Sequence, residues 1–258
     1  MTPLAEQRTL VTGSTDGLGR QLAGALAQRG ASVLIHGRDP AKVEGTVSET
    51  GAAAGLVADL ADLAQVRSLA GEVGDLDTLV NNAGVIVPER RESADGHELT
   101  FAVNYLSHFL LTQLLLANLR EPARIVNVSS IGQAPIDFDD VMLERGYDAY
   151  GAYAQSKLAQ VLFTVELAER LGDRDITVNA LHPATLMDTK MVRETFGRSR
   201  SSVEEGVEAT LRLIEDPELD GVSGRFFEGL REGAAHEQAY DAEARRRLWD
   251  LSERLTTS

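Results

Sequence analysis

The stretch "LVTGSTDGLGRQLAGALA", Leu10 to Ala27, decides the fold. A short apolar run ends in a turn that holds Gly13, Gly17 and Gly19, and an apolar pattern of helical period follows. Leu18, Leu22, Ala25, Leu26 and Arg29 share one face of that helix, which ends at Gly30. The spacing is G-x3-G-x-G. Glycines there let backbone approach a pyrophosphate, and the helix N-terminus offers N–H donors and a partial positive charge. Three glycines would also suit any tight strand-to-helix turn, so the surrounding pattern has to decide.

Outward from this turn, strand-like and helix-like segments alternate. Apolar runs recur at 9–12, 32–37, 54–58, 77–84, 124–130, 176–183 and 224–229, several rich in Val and Ile. Each is only a few residues long, as buried strands are. Between them, Leu63, Val66, Leu69 and Ala70 mark one helix face. Phe101, Tyr105, Phe109, Thr112 and Leu116 mark another, and Val161, Val165, Ala168 and Leu171 a third. "SSVEE" (201–205) offers a serine with a glutamate three residues on, a capping box for a helix ending near Ile214. Alternation of this kind predicts an α/β fold: a Rossmann-type, doubly wound, mostly parallel seven-stranded sheet with helices on both faces. Strand order 3-2-1-4-5-6 is expected, with the seventh strand from "GRFFEG". No repeat, linker or composition break interrupts residues 1–258, which read as one domain. The irregular stretches 131–149 and 184–201 both follow the C-terminal end of an expected strand, where ligands bind in such sheets.

Bulk composition excludes several classes. A net charge of −15 argues against a nucleic-acid partner. The basic run "EARRRL" reads as a helix face. Without cysteine there is no disulfide or thiolate metal site, and no metal is expected. The N-terminus lacks the basic and apolar regions of a signal peptide, and no apolar run approaches the length of a membrane span. A cytoplasmic protein without membrane contact is the expectation.

Which dinucleotide binds turns on the end of the second strand, "LIHGRDPAK". An acidic residue there would accept hydrogen bonds from a ribose 2′-hydroxyl; Gly37 occupies that position and Arg38 follows. An arginine can pair with a 2′-phosphate, which favours NADP(H), with NAD(H) still possible. Asp39 and Pro40 read as N-cap and first residue of the next helix.

The reactive group is expected in "YAQSK", where Tyr153 and Lys157 stand i and i+4 on one helix face. An ammonium beside a phenol favours the phenolate and lowers its pKa, which suits it to proton exchange near neutral pH. Tyr150 and Tyr147 lie one and two turns earlier. Ser130 closes the apolar run "NVSS", where its hydroxyl could hold a carbonyl. Asn104 is unexpectedly polar among Phe101, Val103 and Leu106. His182 has no partner His or carboxylate in sequence and reads as structural. Met187, Met191 and Phe196 form a candidate apolar lid with Gly197 as hinge.

Together, "TGSTDGLG", "NNAG" (81–84), Asn104, "SS" (129–130), "YAQSK" and "HPA" (182–184) resemble the short-chain dehydrogenase/reductase family in its compact single-domain branch. The C-terminal segment and the long stretch before "YAQSK" look most like the retinol-dehydrogenase-like subgroup, whose members often carry a membrane anchor. The resemblance covers nearly the whole chain. It implies that an alcohol and an aldehyde or ketone are interconverted by hydride transfer. Tyr153 would be the general acid/base, and Lys157 would lower its pKa and bond the nicotinamide ribose. Ser130 would polarise the carbonyl, and Asn104 would hold a water linking Lys157 to solvent. The cofactor would lie against Gly13, Ser14, Thr15, Asp16, Gly17, Leu18 and Gly19, with Arg38. Asp59 and Leu60 would meet the adenine, and Asn81, Ala83 and Gly84 would line its path. Pro183 and Thr189 would fix the carboxamide. A homodimer or homotetramer through the helices beginning near Asp95 and Tyr150 is also implied.

Two departures stand out. Ala184 replaces the usual glycine after Pro183, and Thr189 lies one residue further on than the pattern expects. Tyr153 lies 23 positions after Ser130, about ten more than in much of the family, so an excursion from about Gln133 to Asp148 must loop out. Phe138, Met142 and Leu143 are expected there to flank the substrate pocket, or else simply to pin the loop. An apolar pocket favours a hydrophobic carbonyl substrate. The alternatives are a non-catalytic NADP(H) sensor or scaffold, and an epimerase or dehydratase. The latter would need a larger C-terminal substrate domain.

Overall fold

The structure is a computed structural model that describes residues 3–257. Its strands are β1 (Arg8–Val11), β2 (Ser32–Gly37), β3 (Ala54–Val57), β4 (Leu76–Asn81), β5 (Leu119–Val128), β6 (Ile176–His182), β7 (Phe226–Glu228) and β8 (Arg231–Gly233). They form one sheet in the order β3-β2-β1-β4-β5-β6-β7-β8. All seven expected runs form strands in the expected order. The eighth is a correction: β8 turns back antiparallel on β7, pairing Phe226 with Gly233. Gly229 makes that turn with φ 57°, and "REG" is too short and polar to read as a strand.

Helices α1 (Gly17–Gln28), α2 (Pro40–Thr50) and α8 (Val203–Glu215) cover one face of the sheet. The other carries α3 (Leu63–Val73), α4 (Leu99–Phe101), α5 (Ser107–Leu115), α6 (Ala149–Leu171) and α9 (Ala242–Thr256). The short α7 (Lys190–Phe196) lies in the 184–201 stretch. Caps set the starts. Asp16 accepts from Gly17 N–H, and Asp39 accepts from the N–H groups of Ala41 and Lys42 ahead of Pro40. Ser202 and Glu205 form the expected capping box of α8.

Between α4 and α5 the chain runs as a π-helix, Ala102–Leu106, with Asn104 at its centre. Sequence periodicity does not reveal this extra residue per turn. Helix α9 lies across α5 and α6. Trp249 stacks edge-on to Phe109 at 5.1 Å and lies 6.0 Å from Phe163. The run "EARRRL" lies on α9 as expected, and within it Arg245 is buried and ion-paired with Glu166 and Glu169.

Candidate active site

A cleft of about 890 Å³ opens at the C-terminal ends of β1, β2, β4, β5 and β6. Its floor at one end is the glycine turn. Gly13 has φ 62°, and a Cβ there would lie 2.8 Å from Ala83 Cα, so only glycine fits. Gly13, Thr15, Asp16, Gly17, Leu18 and Gly19 line the cleft, as expected. Ser14 does not. Its buried hydroxyl donates to Val11 O at 2.8 Å and accepts from His36 N–H at 2.9 Å, so it braces the turn from beneath. His36 is a second brace. Gly13 N–H donates to its Nδ1 at 3.1 Å, which leaves the proton on Nε2 to reach Ala58 O at 3.2 Å. Burial pushes its pKa down to about 4, so the ring is neutral.

At the end of β2, Arg38 and Lys42 face the cleft together. A Cβ on Gly37 would lie 2.6 Å from Thr15 Cγ2. An acidic side chain at residue 37 is therefore sterically excluded while Thr15 keeps this position. Asp59 and Leu60 line the same end.

Along β4 the expected Asn81 is corrected to its neighbour. Asn81 is fully buried and donates to Thr112 Oγ1 at 3.0 Å and Asn127 Oδ1 at 2.8 Å. Successive strand side chains face opposite ways, and it is Asn82 that lines the cleft, its amide donating to the carbonyls of Thr12 and Gly13. Ala83 and Gly84 line it as expected. Thr12 ties this loop to the π-helix. Its hydroxyl oxygen accepts from the N–H groups of Asn82 and Ala83 and lies 3.1 Å from His108 Nε2. His108 Nδ1 lies 3.0 Å from the Asn104 carbonyl. A carbonyl only accepts, so Nδ1 carries the proton and Nε2 accepts from Thr12. Burial holds His108 neutral, its pKa down to about 3.

Ser130, Tyr153 and Lys157 meet at the other end of the cleft. Burial of the Tyr153 phenol pushes its pKa up, and the neighbouring Ser130 hydroxyl acts the other way. Burial of the phenol outweighs the lowering expected from Lys157. Lys157 Nζ stands 5.5 Å over the centre of the tyrosine ring, and it donates to Val128 O at 2.8 Å and Gln160 Oε1 at 3.0 Å. Burial draws Lys157 down to about 7. Asn104 sits beneath rather than in the cleft. Its Oδ1 accepts from Val85 N–H at 2.7 Å, and its Nδ2 donates to Val85 O and Ser156 Oγ. Asn104 Oδ1 and Lys157 Nζ both approach Gly84, 3.5 and 3.6 Å from where its Cβ would be.

Pro183 and Thr189 line the cleft, but Thr189 caps α7 and packs on Gly17, 3.2 Å from where a Cβ would be. That contact places it at the glycine-turn end of the cleft. Thr185 remains beside β6, 3.0 Å from His182 Nε2. His182 is neutral, its pKa pushed down to about 4 by burial and then by Lys157.

The mouth is apolar. Ile131, Tyr150, Met187, Met191 and Phe196 line it, and Tyr150 meets Phe196 edge-on at 6.5 Å. Phe138, Met142 and Leu143 do not. The excursion is stapled away from the cleft: Gln155 Nε2 donates to Val141 O, Gln238 bridges both backbone groups of Ile136, and Tyr147 donates to Val87 O. Phe138 and Met142 pack against the core, which gives them the loop-pinning role. The signal missed in the sequence is a count. The chain has just three lysines, Lys42, Lys157 and Lys190, and all of them line this cleft. Among the described residues no cluster of metal-ligating side chains occurs, and no helix is long and apolar enough to cross a membrane.

Comparison with known proteins gives the same picture. Residues 7–199 match the family described as short chain dehydrogenase. The chain is 40% identical to retinol dehydrogenase 13 of Mus musculus, over 95% of this chain and 82% of that protein. Among solved structures, an uncharacterised protein from Mycobacterium paratuberculosis superposes with a TM-score of 0.85 at 32% identity, covering 99% of this chain and 95% of that one. A blue fluorescent protein from a metagenomic library, in complex with NADPH, superposes with a TM-score of 0.73 at 27% identity, covering 89% of this chain and 99% of that one.

Proposed function

This chain belongs to the short-chain dehydrogenase/reductase family, in its retinol-dehydrogenase-like subgroup, and we propose that it is an NADP(H)-dependent enzyme acting on a hydrophobic alcohol or carbonyl through Tyr153, Lys157, Ser130 and Asn104. Its family makes it an NAD(P)-dependent oxidoreductase acting on CH–OH groups. The observation that carries the finer reading is the convergence of the Ser130 hydroxyl, the Tyr153 phenol and the buried Lys157 ammonium on one cleft floored by the glycine turn.

The residues present fit a dinucleotide. The cradle at Gly13 excludes any Cβ, and Asp16 lies beside the N-terminus of α1. Ala83, Gly84, Pro183 and Thr189 would flank its length, with Asp59 and Leu60 at the adenine end. The nicotinamide, when bound, supplies or takes the hydride. Ser130 donates a hydrogen bond to the substrate oxygen and orients it. Tyr153 gives its phenolic proton to that oxygen as it gains charge, or takes the proton in the reverse direction. Lys157 supplies positive charge that stabilises the phenolate left behind, and Asn104 holds the backbone that frames Lys157. Arg38 and Lys42 support a 2′-phosphate, and the exclusion of an acid at residue 37 removes the usual partner of a free 2′-hydroxyl. A relative of this fold is in complex with NADPH, which favours the same choice. Ile131, Tyr150, Met191 and Phe196 favour an apolar substrate.

An oligomer built on α5 and α6 would have to assemble around α9; light scattering on the purified chain measures it. The function itself is tested by mixing protein with NADPH or NADH and a panel of aliphatic, aromatic and polyene carbonyls and following nicotinamide absorbance. Turnover of apolar members with NADPH supports the proposal. A raised melting temperature with NADPH but no turnover of any member would favour a sensor.

A further inference from the structure

We propose that Gln160 is a positioning residue for Lys157, holding its ammonium in place and in its charged form; this rests on the Tyr153–Lys157 reading above. Gln160 lies one helical turn beyond Lys157 on α6 and is 1% exposed. Its neighbours Leu158, Ala159, Val161, Leu162 and Phe163 are all buried and apolar. An amide in such a place costs free energy unless both its ends are bonded. Gln160 Oε1 accepts from Lys157 Nζ at 3.0 Å, but its Nε2 is buried without a protein hydrogen-bond partner. A leucine would fill this position without leaving an orphan donor. The amide is therefore explained by what its oxygen does for Lys157, not by packing.

Lys157 needs that oxygen. Val128 O is its other hydrogen-bond acceptor, at 2.8 Å. The titratable groups facing it are Tyr153 on its own helix, His182 at the end of β6 and His108 on α5. Both histidines are neutral, and burial is the cause that draws the lysine down to about 7. Neutral dipoles from Val128 and Gln160 thus replace the carboxylate that a buried ammonium usually pairs with. The arrangement spends two of the three N–H donors. It also fixes a side chain with four rotatable bonds.

The test uses the scarcity of lysine. With three lysines in the chain, carbon-labelled lysine gives a resolvable NMR titration of the cofactor-free protein, assigned with Lys157→Arg. Gln160→Leu should lower the Lys157 pKa by about one unit, because a hydrogen bond to a charged group is lost. Gln160→Glu should raise it. The alkaline limb of kcat/KM should move the same way in each variant, since that profile reports the free enzyme. Should Gln160→Leu fail to fold, Gln160→Glu decides alone. A Lys157 titration at the same pH in wild type and variants would overturn the proposal, whatever happens to the melting temperature. Failure of the parent reading looks different: Lys157→Met would then retain full turnover.

Discussion

Cofactor choice gives the sharpest quantitative expectation. Arg38→Asp removes the guanidinium that would meet a 2′-phosphate and puts a carboxylate in its place. A hydrogen bond to a charged group contributes about 1.5–3 kcal/mol, which is a loss of roughly 10- to 150-fold in affinity. Lys42 stays on the same side of the cleft and should keep the loss near the lower end. NADH lacks the phosphate, so its KM should stay level or fall a few-fold as the carboxylate finds the ribose hydroxyls. Steady-state KM and kcat for both cofactors, at fixed carbonyl concentration, measure this. The reasoning is refuted if NADPH and NADH weaken together, or if neither changes. A companion variant isolates the steric part. Gly37→Asp alone should destabilise by about 1–3 kcal/mol, because its Cβ would sit 2.6 Å from Thr15 Cγ2. Adding Thr15→Ala should relieve much of that cost.

Gly13→Ala should cost about 2–4 kcal/mol, from the left-handed backbone at φ 62° and the 2.8 Å approach to Ala83; a lower melting temperature and loss of the NADPH-induced rise check it. His36, His108 and His182 are held neutral with pKa values near 4, 3 and 4. Their folded pKa values lie below the unfolded value of about 6.5, so the unfolded chain binds more protons between these limits and stability must fall as pH drops from 6.5 toward 4. Urea melts at pH 7 and 5 should show it, and His36→Gln should flatten the slope. Phe196→Ala opens the mouth beside Tyr150 and should lower kcat/KM about tenfold for long apolar carbonyls, with little effect on short ones, since burying a large apolar side chain is worth about 1.5–3 kcal/mol.

The strands were legible because a buried parallel sheet writes itself as short apolar runs, and the glycine turn because backbone contact leaves no room for side chains. Tyr153, Lys157 and Ser130 were legible because helical spacing and strand ends fix where they project. Three features were not. Asn81 and Asn82 are adjacent and chemically identical, and only the strand's phase says which faces the cleft. The π-helix at Asn104 shifts phase by one residue, which no apolar pattern records. The two roles open to the excursion could not be told apart, because burial of Ile136 and Val141 against the core, and the bonds from Gln155 and Gln238, depend on contacts distant in sequence.

The most direct measurement is single-turnover reduction of an apolar aldehyde by Tyr153→Phe, with NADPH binding followed in parallel. The substitution removes one hydroxyl and keeps the ring against Tyr150. Loss of a general acid should slow the chemical step by about 10²- to 10⁴-fold while NADPH affinity holds. A variant that reduces the aldehyde at the wild-type rate would contradict the assignment of Tyr153 as the proton donor.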